Sequence, residues 1–225
     1  MDVGSVLREA WELYRRHVVG FVLTAAVVFV AVDLVAALAE AGADEGFFAG
    51  LVWGAIGTAV TLVGFFWLQG ALIETSRDVR ERGGAASVTA AYAATRSHLS
   101  ALIVGGVLLV VGVAVGLLLL IVPGLYLLTR WALVVPVIVL EDRRAGESFS
   151  RSSELVKGHG WDVFGVVIVT LVGLIVGRRL IQALFAPLPD FIDGWLGGLV
   201  ASSVLAPFVA LAWTTMYYRL REVEA

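Results

Sequence analysis

Residues Leu99 to Val122 read LSALIVGGVLLVVGVAVGLLLLIV and contain no charged side chain. A transmembrane helix needs about 20 consecutive, mostly apolar residues, whereas apolar runs of about 10 to 14 residues are more typical of buried core helices. A surface helix of a soluble domain would also show a polar face, and this stretch has none. The stretch therefore predicts a helix that crosses a lipid bilayer.

The rest of the chain repeats this pattern. Of the 225 residues, 60% are hydrophobic and 16% are charged, whereas a soluble domain carries about 25% charged residues. The Pro123-Gly124 pair predicts a turn between the third and fourth spans. We therefore expect one all-α, polytopic membrane domain over residues 1–225. Its predicted spans are residues 18–39, 47–73, 99–122, 125–140, 161–184 and 195–218.

Basic residues are distributed unevenly between the two sets of loops. Of the 16 lysines and arginines, thirteen lie at the two termini and in the connections that follow spans two and four. Arg178 and Arg179 lie on the other side, and Arg130 lies within span four. Because loops rich in lysine and arginine stay in the cytoplasm, we expect a multi-pass protein of the plasma membrane with both termini in the cytoplasm.

An amphipathic segment precedes spans one, three and five, at residues 3–17, 87–98 and 146–158. Each segment carries a basic residue two positions before one of the 3 histidines of the chain. This repeat predicts three units, each a cytoplasmic interfacial helix followed by a transmembrane hairpin. Chance similarity between short amphipathic helices is the alternative. The matched pairs are Arg15 and His17, Arg96 and His98, and Lys157 and His159.

The amphipathic segments also predict contact with lipid. Trp11 and Tyr14 suit the headgroup level of the bilayer, where amphipathic aromatic rings are enriched. Arg15, Arg96 and Lys157 would then face anionic headgroups on the cytoplasmic side, each contributing roughly 1 kcal/mol of attraction. Membrane lipids are therefore the partners that we expect first.

The region between Pro123 and Trp161 carries the most distinctive motif of the chain. It consists of Pro123-Gly124-Leu125-Tyr126, Arg130, Pro136, Glu141, the run from Ser150 to Gly158, and Trp161. With this motif the chain resembles, over nearly its whole length, the membrane domain associated with glycerophosphoryl diester phosphodiesterases. The resemblance implies a bacterial or archaeal membrane protein. Some members of that group are fused to a soluble catalytic barrel, and we expect a stand-alone member without it.

Two charged side chains lie inside the predicted spans. Asp33 in span one and Arg130 in span four both lie roughly 10 Å from the outer boundary at 1.5 Å per residue. One interpretation is a buried ion pair that joins the two spans. The other makes Arg130 a ligand for a lipid phosphate, with Asp33 orienting it and Arg178 and Arg179 adding positive charge at the outer rim.

Three weaker patterns leave alternatives open. Pro136 predicts a kink in span four that frees the carbonyl of Ala132. The histidines would form a metal or proton-responsive site if the three units surround a common axis, and would otherwise be interfacial. Gly-x-x-x-Gly steps favour close helix packing, either within one chain or in a homodimer. These steps are Gly50/Gly54, Gly112/Gly116 and Gly173/Gly177.

No familiar catalytic motif is present. The chain has no cysteine, no phosphate-binding loop and no His-Glu-x-x-His or Gly-x-Ser-x-Gly motif,. We therefore expect no enzyme, no cofactor, no metal and no nucleic-acid partner. The leading interpretation is a non-enzymatic membrane module that interacts with lipid or serves as a membrane subunit for a partner protein. A small transporter and an intramembrane lipid-modifying enzyme are the alternatives.

Overall fold

The computed structural model describes residues 2–43, 46–84, 87–187 and 193–224, and describes only the backbone of residues 36–43, 193 and 194. These residues are helical almost throughout, and no strand occurs among them. Short turns of 3₁₀-helix (Arg96–His98) and π-helix (Asp193–Gly197) interrupt the α-helices. The α-helices are α1 (Val3–Ala43), α2 (Phe47–Arg82), α3 (Val88–Thr95), α4 (Leu99–Leu119), α5 (Ile121–Arg130), α6 (Val134–Glu141), α7 (Ala145–Val156), α8 (Gly160–Phe185) and α9 (Gly198–Glu224).

In this part of the chain, six helical segments are long and apolar enough to cross a membrane, which confirms the predicted all-α, multi-pass class. Each predicted span overlaps one of them. Two helices are longer than a bilayer requires: α1 has 41 residues with a kink at His17, and α2 has 36 residues, or about 54 Å for α2 at 1.5 Å per residue. The hydrocarbon core is about 30 Å thick, so their ends project beyond it. The six segments are Val3–Val35, Phe47–Arg82, Val88–Leu119, Ile121–Glu141, Gly160–Phe185 and Trp195–Glu224.

The three histidines lie at three similar breaks in the backbone. His17 interrupts α1 with φ −125° and ψ 22°. His98 precedes α4 with φ −92° and ψ −4°, and His159 precedes α8 with φ −120° and ψ 19°. All three conformations lie in or near the sparsely populated bridge region, where helices end. Each amphipathic segment therefore ends at its histidine, and an apolar helix begins there.

Aligning the segments on their histidines also aligns the buried positions. Ala10, Ala91 and Ser152 are equivalent and buried, and so are Tyr14, Thr95 and Val156. The buried faces pack on neighbouring helices: α3 packs on α2, α7 packs on α6, and the start of α1 packs on α9. The amphipathic segments therefore cover protein on their buried faces.

One end of the helix bundle carries a network of charged side chains. Glu9 of α1 accepts hydrogen bonds from Arg219 of α9, at 2.7 and 3.0 Å, and forms an ion pair with Arg80 of α2 at 2.8 Å. Arg80 also donates to Thr215 at 3.2 Å and lies 4.8 Å from the centre of the Tyr218 ring. These contacts place the N-terminal end of α1 and the C-terminal end of α9 at the same end of the bundle.

The reversal between α4 and α5 differs from the predicted turn. The chain turns at Leu120, which has φ −159° and ψ 140°, three residues before the expected position. Pro123 and Gly124 lie instead in the first turn of α5. A proline is accommodated there because the first N–H groups of a helix have no partner within it.

The Gly-x-x-x-Gly steps differ in how closely their glycines approach neighbouring residues. A Cβ atom on Gly116 would lie 3.0 Å from the Cα of Gly124, and one on Gly112 would lie 2.5 Å from the Trp131 ring. This step therefore serves packing between α4 and the helices that follow it. Gly54 and Gly173 have open space at the same position, and a role for their steps in a homodimer stays a prediction.

We expect Gly124→Ala to destabilise the protein by about 1–3 kcal/mol, because the added Cβ overpacks the α4–α5 reversal. It would lie 2.5 Å from the backbone nitrogen of Leu117. Gly54→Ala is the matched control, since its added methyl group meets no atom within 4 Å and alanine favours a helix. Thermal unfolding in detergent measures both variants. Equal unfolding temperatures would contradict the close approach.

Candidate functional site

A cavity of about 750 Å³ lies between α5 and the junction of α7 with α8. Its walls are mostly apolar, from Val122 and Leu125 on one side to Phe164 on the other. The charged or titratable side chains that line it are Arg130, Lys157, His159, Asp162 and Tyr126. Its size is typical of a cavity that binds a small molecule or part of a lipid.

The junction that forms one side of the cavity depends on a short extended loop. Helix α7 ends at Val156, and Lys157 continues with φ −60° and ψ 126°. Gly158 follows at φ +87°, a conformation that glycine adopts without the steric penalty of a Cβ. Helix α8 then begins at Gly160. The loop therefore brings Lys157 and His159 to the cavity beside the start of α8.

Arg130 enters the cavity because the fourth span is broken. Helix α5 ends at Arg130, residues 131–133 form turns, and α6 begins at Val134. Pro136 lies in the first turn of α6, where its missing N–H is tolerated. The predicted kink is therefore present as a full break in the helix. The break includes Ala132, whose carbonyl oxygen cannot accept a hydrogen bond from Pro136 because proline has no N–H.

The hydroxyl group of Ser152 satisfies backbone groups on both sides of this break. It donates to the carbonyl oxygen of Arg130 at 2.8 Å and accepts from the N–H of Leu133 at 3.2 Å. Ser152 lies on α7 and is fully buried. A buried backbone group without a partner is costly, so this hydroxyl holds the broken span against α7.

The guanidinium of Arg130 has no carboxylate partner among the described residues. Its Cζ atom lies 5.7 Å from the centre of the Tyr126 ring, one turn earlier on α5. A cation over an aromatic face is stabilised by about 0.5–1 kcal/mol at a partly exposed site, much less than a salt bridge in a dry environment. The Tyr126 ring therefore holds the Arg130 guanidinium in place, and no carboxylate among the described residues pairs with it.

The structure does not bring the sequence-predicted site together. No ion pair joins Asp33 and Arg130 among the described side chains: Asp33 lies on α1, which packs mainly on α2 and α9, whereas α5 packs mainly on α4. Arg178 and Arg179 are exposed on α8, and Arg178 follows Asp162 by about 24 Å of helix. The prediction placed Asp33 and Arg130 at the same depth in the membrane. It did not include the direction in which each side chain faces.

Lys157 was predicted as an interfacial residue separate from the Arg130 site, and His159 only as a member of the repeat, but both line the cavity with Arg130. The prediction counted the depth of Arg130 from Gly124 at 1.5 Å per residue, which put Arg130 near one membrane boundary and Lys157 at the other. In the structure the span is interrupted at residues 131–133, directly after Arg130, and both residues line one cavity. Pro136 indicated the interruption of span four, but not that Lys157 and Arg130 would line the same cavity.

The other predicted interfacial residues are placed as follows. Trp11 is 53% exposed and packs edge-on against Phe208, and Arg15, Arg96 and Lys157 are exposed. Tyr14 differs from the expectation, because its ring is buried and its hydroxyl donates to the carbonyl of Val204 at 2.8 Å. It faces α9 because it lies on the same side of α1 as Ala10.

The three histidines have separate local partners. His17 Nδ1 lies 3.3 Å from the carbonyl oxygen of Leu13. His98 Nε2 lies 2.9 Å from the Asp142 carboxylate, and His159 Nδ1 lies 3.6 Å from the Asp162 carboxylate. Within the described ranges, no group of three or more His, Asp or Glu side chains could hold a metal ion.

Six helical segments that are long and apolar enough to cross a membrane indicate a multi-pass helical membrane protein. Residues 79–220 match the domain of unknown function DUF7847, and since the match covers more than half of the chain, the protein belongs to this family. The matched region begins near the end of α2 and includes the whole cavity. No curated protein and no solved structure matches the chain.

We expect Ser152→Ala to lower the free energy of unfolding by about 1–3 kcal/mol, because it leaves a buried N–H and a buried carbonyl without their partner. Ser150→Ala on the exposed side of α7 is the control, and it should unfold like the wild type. The measurement is thermal unfolding of both variants in the same detergent. If both variants unfold at the wild-type temperature, the hydroxyl bridge does not stabilise the break.

Proposed function

We propose that this protein is a non-enzymatic membrane module that binds an anionic lipid, with the lipid phosphate held between Arg130 and Lys157. The observation that carries the proposal is the Arg130 guanidinium, which faces an apolar-walled cavity without a carboxylate partner among the described residues. An uncompensated cation in such a place is stabilised when an anion binds beside it.

The donors of the cavity suit a phosphate group. Arginine can donate two parallel hydrogen bonds to phosphate oxygens, and lysine adds a compact positive charge. The positive end of the α8 dipole also lies at the cavity,. Asp162 contributes one negative charge, which lies 3.6 Å from His159. With Arg130 and Lys157 both charged, the cavity keeps a net positive charge even when His159 is neutral.

The apolar part of the cavity suits a lipid better than a free phosphate ion. Val122, Leu125 and Phe164 provide a surface for acyl or glycerol carbon atoms,. Trp161 is 87% exposed and Tyr126 is 58% exposed at the rim, as expected for rings at the headgroup level. A soluble anion would leave these apolar surfaces uncovered.

The resemblance to the membrane domain associated with glycerophosphoryl diester phosphodiesterases agrees with this proposal. The motif that carries it runs from Pro123 to Trp161, and the cavity is lined by residues at both ends of that motif. We propose that the chain is a stand-alone relative of that membrane domain, and that the shared motif builds a lipid site.

For the orientation, we propose three transmembrane hairpins with both termini in the cytoplasm of a prokaryotic cell. The excess of arginine and lysine on one side supports it. The contact between Glu9 and Arg219 at one end of the bundle is compatible with both termini on one side. The cavity would then open toward the cytoplasmic half of the membrane through the Lys157 loop.

We expect Arg130→Gln to weaken binding of an anionic phospholipid by at least about tenfold, because a hydrogen bond to a charged group contributes about 1.5–3 kcal/mol. The measurement is native mass spectrometry of the purified protein titrated with phosphatidylglycerol, and separately with phosphatidylcholine. Phosphatidylcholine binding should be weaker and should change little, since its headgroup has no net charge.

Arg178→Gln is the matched control, because it removes the same charge from an exposed position far along α8. It should bind phosphatidylglycerol like the wild type. Equal losses in the two variants would mean that the lipid responds to overall charge and not to the cavity. No loss in either variant would overturn the proposed function.

The orientation is tested with single cysteines, which the natural chain lacks. We expect a cysteine at Gly84 to resist a membrane-impermeant thiol reagent in intact cells, and one at Phe47 to react. After permeabilisation both should react. The opposite result would reverse the orientation, and the proposed cavity would then face the outer half of the membrane.

A further inference from the structure

Arg151 on α7 lies at the centre of a second charged network. Its Nε atom donates to both carboxylate oxygens of Glu141 on α6, at 3.1 and 3.2 Å. Its two terminal nitrogens donate to both carboxylate oxygens of Glu224 near the end of α9, at 2.7 and 2.6 Å. Glu141 also accepts from the hydroxyl of Tyr217 at 3.0 Å. Three helices are therefore joined through one guanidinium.

The network contains well-shielded groups. The side chains of Arg151 and Glu141 are 15% and 12% exposed, whereas that of Glu224 is 46% exposed. The hydrogen bond to Glu224 is the main cause that raises the pKa of Arg151, so the guanidinium is charged at physiological pH. Arg151→Gln would remove the contact of α7 with Glu141, which keeps its ion pair with Arg143 at 2.9 Å, and would also remove the ion pair with Glu224.

The same helix forms part of the proposed lipid site. Ser152, next to Arg151, donates to the carbonyl of Arg130 itself. Four and five residues later, Val156 and Lys157 line the cavity. A displacement of α7 would therefore move the lysine, and would also release the backbone that fixes where α5 ends.

We infer that Arg151 is a positioning residue for the anion site, and that it keeps α7 in the place where Lys157 and Arg130 face one ligand. This inference rests on the proposed function. Arg151 does not line the cavity and acts through α7, with Glu141 and Glu224 as the groups that hold it. Affinity then depends on the fraction of molecules in which α7 is docked.

The test is phosphatidylglycerol binding to Arg151→Gln, Arg151→Lys and Arg130→Gln, together with hydrogen exchange of the α7 amides. We expect Arg151→Gln to bind about tenfold more weakly and α7 to exchange faster. Arg151→Lys keeps the charge and should recover part of the affinity. Arg144→Gln removes an exposed arginine just before α7 and should behave like the wild type in both measurements.

Glu224→Gln provides a milder variant if Arg151→Gln does not fold. We expect it to bind about threefold more weakly, and Glu222→Gln, an exposed neighbour on the same helix, to bind like the wild type. Wild-type binding by Arg151→Gln, or by Glu224→Gln where Arg151→Gln does not fold, would overturn the positioning role. If Arg130→Gln is impaired in the same experiment, the proposed function stands without the positioning role of Arg151. If Arg130→Gln also binds normally, the proposed function fails as well.

Discussion

The hydrogen bonds of one serine hydroxyl make the broken fourth span compatible with an apolar environment. In lipid, an unpaired backbone N–H or carbonyl costs several kcal/mol, and a helix can be interrupted only where protein supplies the missing partners. Ser152 supplies a donor to the Arg130 carbonyl and an acceptor to the Leu133 N–H. The end of α5, the position of Arg130 and one wall of the cavity all depend on that bridge. Helix α7 must therefore dock on the fourth span for the site to exist.

Of the three segments that end at a histidine, the third lines the cavity. The residues equivalent to Ser152 are Ala10 and Ala91, and both are buried. Ala91 lies on α3, which packs on α2, and Ala10 lies on the part of α1 that packs on α9. Both α2 and α9 are continuous helices, whereas the fourth span is interrupted at residues 131–133. The hydroxyl is found where the neighbouring helix is broken.

Hydropathy predicted the six spans because lipid imposes one requirement on every residue of a long apolar run. The turn at Pro123 was misplaced because proline suits the first turn of a helix as well as a turn between helices. The pairing of Asp33 with Arg130 was an argument from depth alone. Depth follows from the sequence at 1.5 Å per residue, but the direction that a side chain faces depends on which helices pack together.

The sequence by itself determined the all-α, multi-pass class of the protein and the approximate positions of its six apolar helical segments. These features follow from local composition and spacing, which need no knowledge of distant contacts. Only the tertiary structure decided that Lys157 and His159 share a cavity with Arg130, and that Arg151 joins α7 to Glu141 and Glu224. Those arrangements depend on residues far apart in the chain, whose approach is set by the docking of α7 onto α6 and the end of α9.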